Sequence, residues 1–168
     1  GRRLEVTGTP RVRVAGQGGF GDIVPGPSFA DDGTVYLSWV EGDASASGAV
    51  VGRARLSVDG DAARLTGIET IWRQPPTSGG GHFSHRLAFS PDGAYLFVSS
   101  GDRQKMEPAQ DLGTTLGKIL RLLPDGTPAP GNPFAGRPGA SPEIWSYGHR
   151  NVLGLAFDEQ GRLWASEM

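Results

Sequence analysis

A phenylalanine followed four residues later by a turn glycine, and then by an apolar strand, recurs three times in this chain. Phe29-Ala30-Asp31-Asp32-Gly33 leads into Val35, Leu37 and Trp39 at period two. Phe89-Ser90-Pro91-Asp92-Gly93 leads into Tyr95, Leu96, Phe97 and Val98, and Phe157-Asp158-Glu159-Gln160-Gly161 leads into Leu163 and Trp164. The copies lie 60 and 68 residues apart, with weaker Asp-Gly copies at Leu56 to Gly60 and Leu122 to Gly126 between them. Glycine accepts positive φ without steric cost, so each copy reads as a tight turn joining two strands. Two hairpins per unit of this length make a four-stranded blade, and the sequence therefore predicts an all-β chain built as a β-propeller. A plain β-sandwich with chance similarity among its turns is the alternative. Propellers close with roughly four to eight blades. At this spacing 168 residues hold fewer than three, so the expectation is a single partial propeller domain over residues 1–168, two to three blades of a longer protein.

Composition bears on whether so turn-rich a chain folds. Glycine (27) and proline (13) approach the content of disordered chains, but four Trp, seven Phe and repeated Val/Leu/Ile runs supply the apolar surface that disorder lacks. A net charge of −2 without a basic run gives no electrostatic case for nucleic acid or an anionic membrane surface. No apolar run approaches the roughly 18 residues of a spanning helix. With no cysteine there are no disulfides and no thiolate metal sites, and the compartment stays open. The start, GRRLEVTG, has no signal-peptide apolar region, which fits a cytosolic or an already processed chain.

Along the chain, Gly1 to Pro10 reads as a weak extended lead-in, and Arg11-Val12-Arg13-Val14 alternates as a half-buried strand does. Gly16-Gln17-Gly18-Gly19-Phe20-Gly21 matches G-x-G-x-x-G, but Pro25-Gly26-Pro27 follows at once and excludes the helix that a dinucleotide site requires. The glycines are taken as a tight loop. Leu116 to Leu123 reads as a strand within a long excursion from 103 to 148. The Pro- and Gly-rich stretch Thr127 to Pro142 is of a length that is usually functional or disordered.

The chemistry gathers around Gly79 to Asp102. His82 and Arg86 precede the strand Leu87-Ala88-Phe89, and the partner strand ends in Gly101-Asp102. If the two pair antiparallel through the Asp92-Gly93 turn, His82 and Asp102 are spatial neighbours. Corresponding loops of successive blades collect on one face around the channel. Gln17, His82 with Arg86, and Arg150 with Asn151 therefore converge. A histidine, an orienting carboxylate, an arginine and two amides suit proton abstraction from a polar, anionic or carbonyl-bearing ligand. There is no G-x-S-x-G elbow, and His82, His85 and His149 lack zinc-ligand spacing.

These residues resemble the soluble quinoprotein sugar dehydrogenases, the glucose/sorbosone and aldose sugar dehydrogenases. The likeness rests on Gln17-Gly18-Gly19 with Phe29, His82-Phe83 through Arg86-Leu87, Gly101-Asp102, Leu116 to Arg121, Asn132-Pro133-Phe134, and Glu143 to Asn151 with Gly154 to Phe157. The resemblance implies a six-bladed propeller of a bacterial periplasmic or secreted enzyme, binding pyrroloquinoline quinone (PQQ) and calcium on the channel face. It implies His82 as the general base on the sugar C1 hydroxyl, with hydride passing to the quinone, and Asp102 as its holder. Arg150 and Asn151 match cofactor contacts, with Arg150 also offsetting charge on the reduced quinone, and Gln17 matches a residue near substrate and quinone. An aldose and an external electron acceptor are the implied partners; oligomeric state is left open.

The departures are also informative. Ser84-His85 stands where many relatives carry glycines, an arrangement that either crowds the site or tilts the loop. The family's calcium ligands and its basic residues for the PQQ carboxylates lie beyond the position matching Met168, so no metal ligand is assigned within these 168 residues, and the piece alone is expected to be inactive or nearly so. His85, His149 and Arg86 are read as structural. Two rival functions stand beside the dehydrogenase. One is a non-catalytic propeller scaffold. The other is a calcium-dependent lactonase, which needs several channel carboxylates where only Asp102 and Asp22 qualify.

Overall fold

The computed structural model describes residues 3–168, so the first two residues of the lead-in lie outside it. Three antiparallel sheets follow one another along the chain, each led by a strand on the inside of the array. The first runs outward as β2 (Phe20–Pro25), β3 (Thr34–Gly42), β4 (Ser47–Asp59) and β5 (Ala62–Arg73), and the short β1 (Val6–Thr7) adds in parallel at the outer edge. The second holds β6 (Ser84–Phe89), β7 (Leu96–Ser100), β8 (Lys118–Leu122) and β9 (Ile144–Tyr147), and β10 (Val152–Phe157) pairs with β11 (Leu163–Glu167) in the third. The leading strands β2, β6 and β10 adjoin in turn. This is a β-propeller arrangement of two blades and the leading hairpin of a third.

The recurrent phenylalanine-to-glycine segments make the β2–β3, β6–β7 and β10–β11 turns. At the first, Phe29–Asp32 closes one helical turn, and Gly33 ends it at φ +70°. Asp-Gly also closes the β4–β5 hairpin. After β8 the matching turn returns only through a Leu122–Pro128 bridge, and the Pro-rich stretch intervenes before β9. That stretch is pinned by Asn132, whose amide donates to the Arg121 and Pro142 carbonyls (3.0 and 2.9 Å) while its oxygen accepts from Arg121 (2.8 Å).

Blade-on-blade packing supplies the core. Tyr36, Val51 and Trp72 of the first blade meet Leu87, Leu96, Val98, Leu120 and Ile144 of the second. Strand alternation turns Val35, Leu37 and Trp39 to the opposite face, against Val50 and Leu65. Phe97 faces the third blade, packing edge-on to Phe157 at 5.3 Å. Burying both faces of a strand is what the near-continuous apolar runs in β3 and β7 encode.

Arg11 to Val14 is a correction: it forms no strand. Arg13 donates one backbone bond to Val40 (2.8 Å), and the glycine loop then turns away, held by Gln17 N–H on the Gly80 carbonyl (2.7 Å). Val14 is left 83% exposed. The loop leads into strand β2 rather than a helix, as the Pro-Gly-Pro sequence requires. No helix among the described residues is long and apolar enough to cross a membrane.

Candidate active site

Gln17, His82 and Asn151 occupy the segments that enter β2, β6 and β10, so blade succession brings all three to one end of the channel. The β6–β7 hairpin pairs Ser84 with Ser100, which sets His82 beside Asp102. His82 Nδ1 lies 2.7 Å from Asp102 Oδ1, with both residues buried. A carboxylate only accepts, so Nδ1 carries a proton, and in the neutral ring Nε2 is then the atom with the lone pair. Asp102 Oδ1 also accepts the Gln104 N–H at 2.8 Å. The His82 N–H donates to Gln17 Oε1 at 2.8 Å, tying the first blade's loop to the second's. Gly101 is required here by close approach: a Cβ on it would meet the His82 carbonyl oxygen at 1.9 Å.

The third blade closes the group. The Asp102 N–H donates to the Arg150 carbonyl (2.9 Å) and Ser84 Oγ to Asn151 Oδ1 (3.1 Å). With its oxygen engaged, buried Asn151 has its NH₂ donors left for a ligand. Arg150 is held by its backbone, and its side chain is exposed. Arg86 does not join the group. Its guanidinium donates to the Gly21 carbonyl at 2.6 Å, and its Nε is buried without a partner.

The polar stretch after Asp102 hides a residue that sequence reasoning missed. Arg103 is fully buried. It donates to the carbonyls of Gly81 (2.9 Å), Gly79 (2.6 Å) and Ser47, and its guanidinium lies 3.7 Å from the Phe83 ring centroid. Burial lowers its pKa to about 10, so it remains a cation at neutral pH. It locks the segment that presents His82. Lys118 plays a similar part from β8, donating to the Pro108, Ala109 and Leu116 carbonyls.

Backbone strain is confined to this place. Among the described residues, those other than glycine with positive φ are His82, Ser84, His85, Arg103, Gln104 and Met106, which flank the His82–Asp102 pair. Met106, at φ 58° and ψ −68°, centres a strained γ-turn closed by Glu107 N–H on the Lys105 carbonyl. Such conformations cost about 1–3 kcal/mol each and persist where the surroundings over-determine them. They also explain why glycines suit positions 84 and 85: both take the left-handed region here.

His85 packs beneath the site and lines part of the adjoining cavity. It turns inward, with Nδ1 3.0 Å from Ser38 Oγ, into space that Gly21 leaves open; a Cβ on Gly21 would lie 2.0 Å from the ring. Burial, then the Arg86 and Arg103 charges, lowers the His85 pKa from 6.5 to about 4. The unfolded chain therefore binds this proton more readily than the folded one. The associated stability is fully present above about pH 6.5, falls as pH drops toward 4, and amounts to about 3 kcal/mol. The denaturant midpoint is expected to fall between pH 7 and pH 4.5, and to fall less in His85→Asn. Equal slopes in the two proteins would show that another group carries the acid sensitivity.

Beside the pair lies a cavity of about 250 Å³ lined by Gln17, Phe83, Ser84, Arg86, Asn151 and Leu153 among others. A larger hollow of about 370 Å³ on the open flank of the first blade is lined by Val6, Phe20, Ile23 and Leu37. Its one carboxylate, Asp22, is committed to the Ile23 and Leu87 amides. The smaller cavity is the one that the Gln17 and Asn151 side chains line. Its Gln17 and Asn151 amides suit a ligand rich in carbonyl oxygens, which is the character of PQQ. Among the described residues no three His, Cys, Asp or Glu side chains gather as a metal-ligand set.

Comparison with known proteins agrees with this architecture. The model of the glucose/sorbosone dehydrogenase family matches residues 1–168, and the chain belongs to that family. It is 41% identical, over 99% of its length, to aldose sugar dehydrogenase YliI of Escherichia coli (strain K12), of which it covers 45%. Over 51% of its length it is 35% identical to quinoprotein glucose dehydrogenase B of Acinetobacter calcoaceticus, of which it covers 21%. The crystal structure of the soluble aldose sugar dehydrogenase of E. coli in its apo form superimposes with TM-score 0.91 at 39% identity, over 99% of this chain and 48% of that one. The PQQ-bound aldose sugar dehydrogenase of Streptomyces coelicolor superimposes with TM-score 0.80 at 38% identity, over 94% of this chain and 44% of that one. The chain thus spans less than half the length of these relatives.

Proposed function

We propose that this chain carries the acid–base half of a PQQ-dependent sugar dehydrogenase that oxidises an aldose at C1. The observation that carries this reading is the buried His82–Asp102 pair at the head of a channel strand, in a chain of this family. When bound, PQQ supplies the two-electron acceptor for the hydride that leaves C1, and an external acceptor later takes the electrons. His82 Nε2 would take the proton from the C1 hydroxyl oxygen as hydride leaves C1, and the sugar becomes a lactone. Asp102 fixes the imidazole tautomer and stabilises the imidazolium. The Gln17 and Asn151 amides would help hold the cofactor as hydrogen-bond donors, and Arg150 would offer a positive charge to its oxygens. The assignment of calcium, and of a periplasmic or secreted location, rests on the family resemblance alone.

The test is cofactor binding by the intact protein. PQQ is expected to bind at one equivalent, and Asn151→Ala to weaken it roughly 5- to 50-fold, the loss of one or two hydrogen bonds to a charged ligand. A protein that takes up no PQQ is a scaffold of the same fold.

A further inference from the structure

A second histidine–carboxylate group links the end of β9 to β11 of the third blade, and the proposed function leaves it without a role. Ser146 Oγ is 2.9 Å from His149 Nε2, and His149 Nδ1 is 3.3 Å from Glu167 Oε1. The order serine, histidine, carboxylate is that of a nucleophilic triad, but the next amides are spoken for. Gly148 N–H donates to the Ala109 carbonyl (2.9 Å) and His149 N–H to that of Gly117 (3.1 Å). Neither is available to stabilise an oxyanion at Ser146, which acyl transfer requires.

The second carboxylate oxygen shows what the group does. Glu167 Oε2 accepts the Arg150 N–H at 2.8 Å, while the carbonyl of Arg150 accepts the Asp102 N–H at 2.9 Å. Asp102 in turn holds His82. Glu167 stands opposite Val152 in the β10–β11 register, immediately past Asn151, so the strand pairing delivers its carboxylate to the loop. The glutamate is thereby fixed on one side by His149 and Ser146, and it fixes the loop on the other.

We propose that Glu167 is a positioning residue for the His82 base, acting through the backbone of Arg150 and of Asp102, with His149 and Ser146 bracing its carboxylate. The inference rests on the dehydrogenase reading for its catalytic consequence only. Hydrogen bonds on both sides of Arg150, from its N–H to Glu167 and to its carbonyl from the Asp102 N–H, fix the backbone that carries Asp102, and a displacement of about 1 Å at a reacting group costs up to about 100-fold in rate. Gln at 167 keeps an acceptor for the Arg150 N–H; Ala removes it.

The experiment compares Glu167→Ala and Glu167→Gln in the intact protein by two readouts. In Glu167→Ala the Arg150 and Asp102 amides are expected to exchange at least roughly tenfold faster, and the downfield Nδ1 proton of His82 to broaden. Aldose-dependent kcat falls roughly 10- to 100-fold with KM nearly unchanged. Glu167→Gln recovers most of each loss. Unchanged exchange and an unchanged His82 resonance in Glu167→Ala, or a Gln variant as impaired as Ala, overturns the proposal. A parent protein that oxidises no sugar sinks the dehydrogenase reading, while the exchange and resonance comparison still decides the role of Glu167. Should Glu167→Ala not fold, Glu167→Met against Glu167→Gln gives the same contrast.

Discussion

His82→Ala is expected to slow aldose-dependent quinone reduction by roughly 10²- to 10⁴-fold, the usual contribution of a positioned general base, while PQQ binding changes by only a few-fold. The split follows from geometry. His82 is 4% exposed and is joined to the rest of the site by its backbone N–H and by Nδ1, so its remaining capacity is the Nε2 lone pair. Asp102→Asn makes the complementary test. An amide in that place can donate to Nδ1, moving the ring proton to Nε2 and removing the base without removing the ring. Both variants are expected to bind the cofactor and to stall at proton removal. A His82→Ala protein that keeps more than about a tenth of the parental rate would remove this histidine from the chemistry.

The largest effect on stability is expected at Arg103. Arg103→Met leaves the buried Gly81 carbonyl without its donor, takes the cationic donor from the carbonyls of Gly79 and of Ser47, which keeps the Thr77 N–H, and leaves the Phe83 face without its guanidinium. Each unsatisfied buried acceptor costs about 1–3 kcal/mol. Relaxation recovers part, and a loss of roughly 3–5 kcal/mol is expected in denaturant unfolding of the intact protein. Because Gly79 to Gly81 lead directly into His82, activity should fall with it. Arg103→Lys, which keeps a charge but not the planar fork, is expected to lose about half as much. An Arg103→Met protein within about 1 kcal/mol of the parent would show that the loop is held by other means.

What the amino-acid order discloses is uneven, for physical reasons. The Asp92-Gly93 turn fixes a two-strand register, and register alone brings His82 to Asp102 across twenty residues; that is local information, readable from turn chemistry and period two. The meeting of Gln17 and Asn151 with this pair is readable only through the repeat, because it depends on equivalent loops gathering at one end of successive blades. Arg103 is not readable at all. It opens a run of polar residues that looks solvated, and only folding shows the three carbonyls of Ser47, Gly79 and Gly81 converging on its guanidinium. Glu167 sits among strand residues that look structural, and its role depends on how β11 lies against β10. Ser84 and His85 hold positive φ although neither is glycine, so sequence preference misstates their backbone. Arg11 to Val14 has the alternation of a strand, but only one of its amides reaches β3 before the glycine loop leads the chain away.

The most direct test of the account is the absorbance spectrum of the intact protein loaded with PQQ, recorded before and after an aldose is added, in parent and His82→Ala side by side. Sugar-dependent reduction of the bound quinone in the parent, with the variant binding PQQ yet leaving it oxidised, is the predicted result. Equal reduction in both proteins would contradict the role given to His82, and a parent that binds PQQ but leaves it oxidised with every aldose tried would contradict the dehydrogenase.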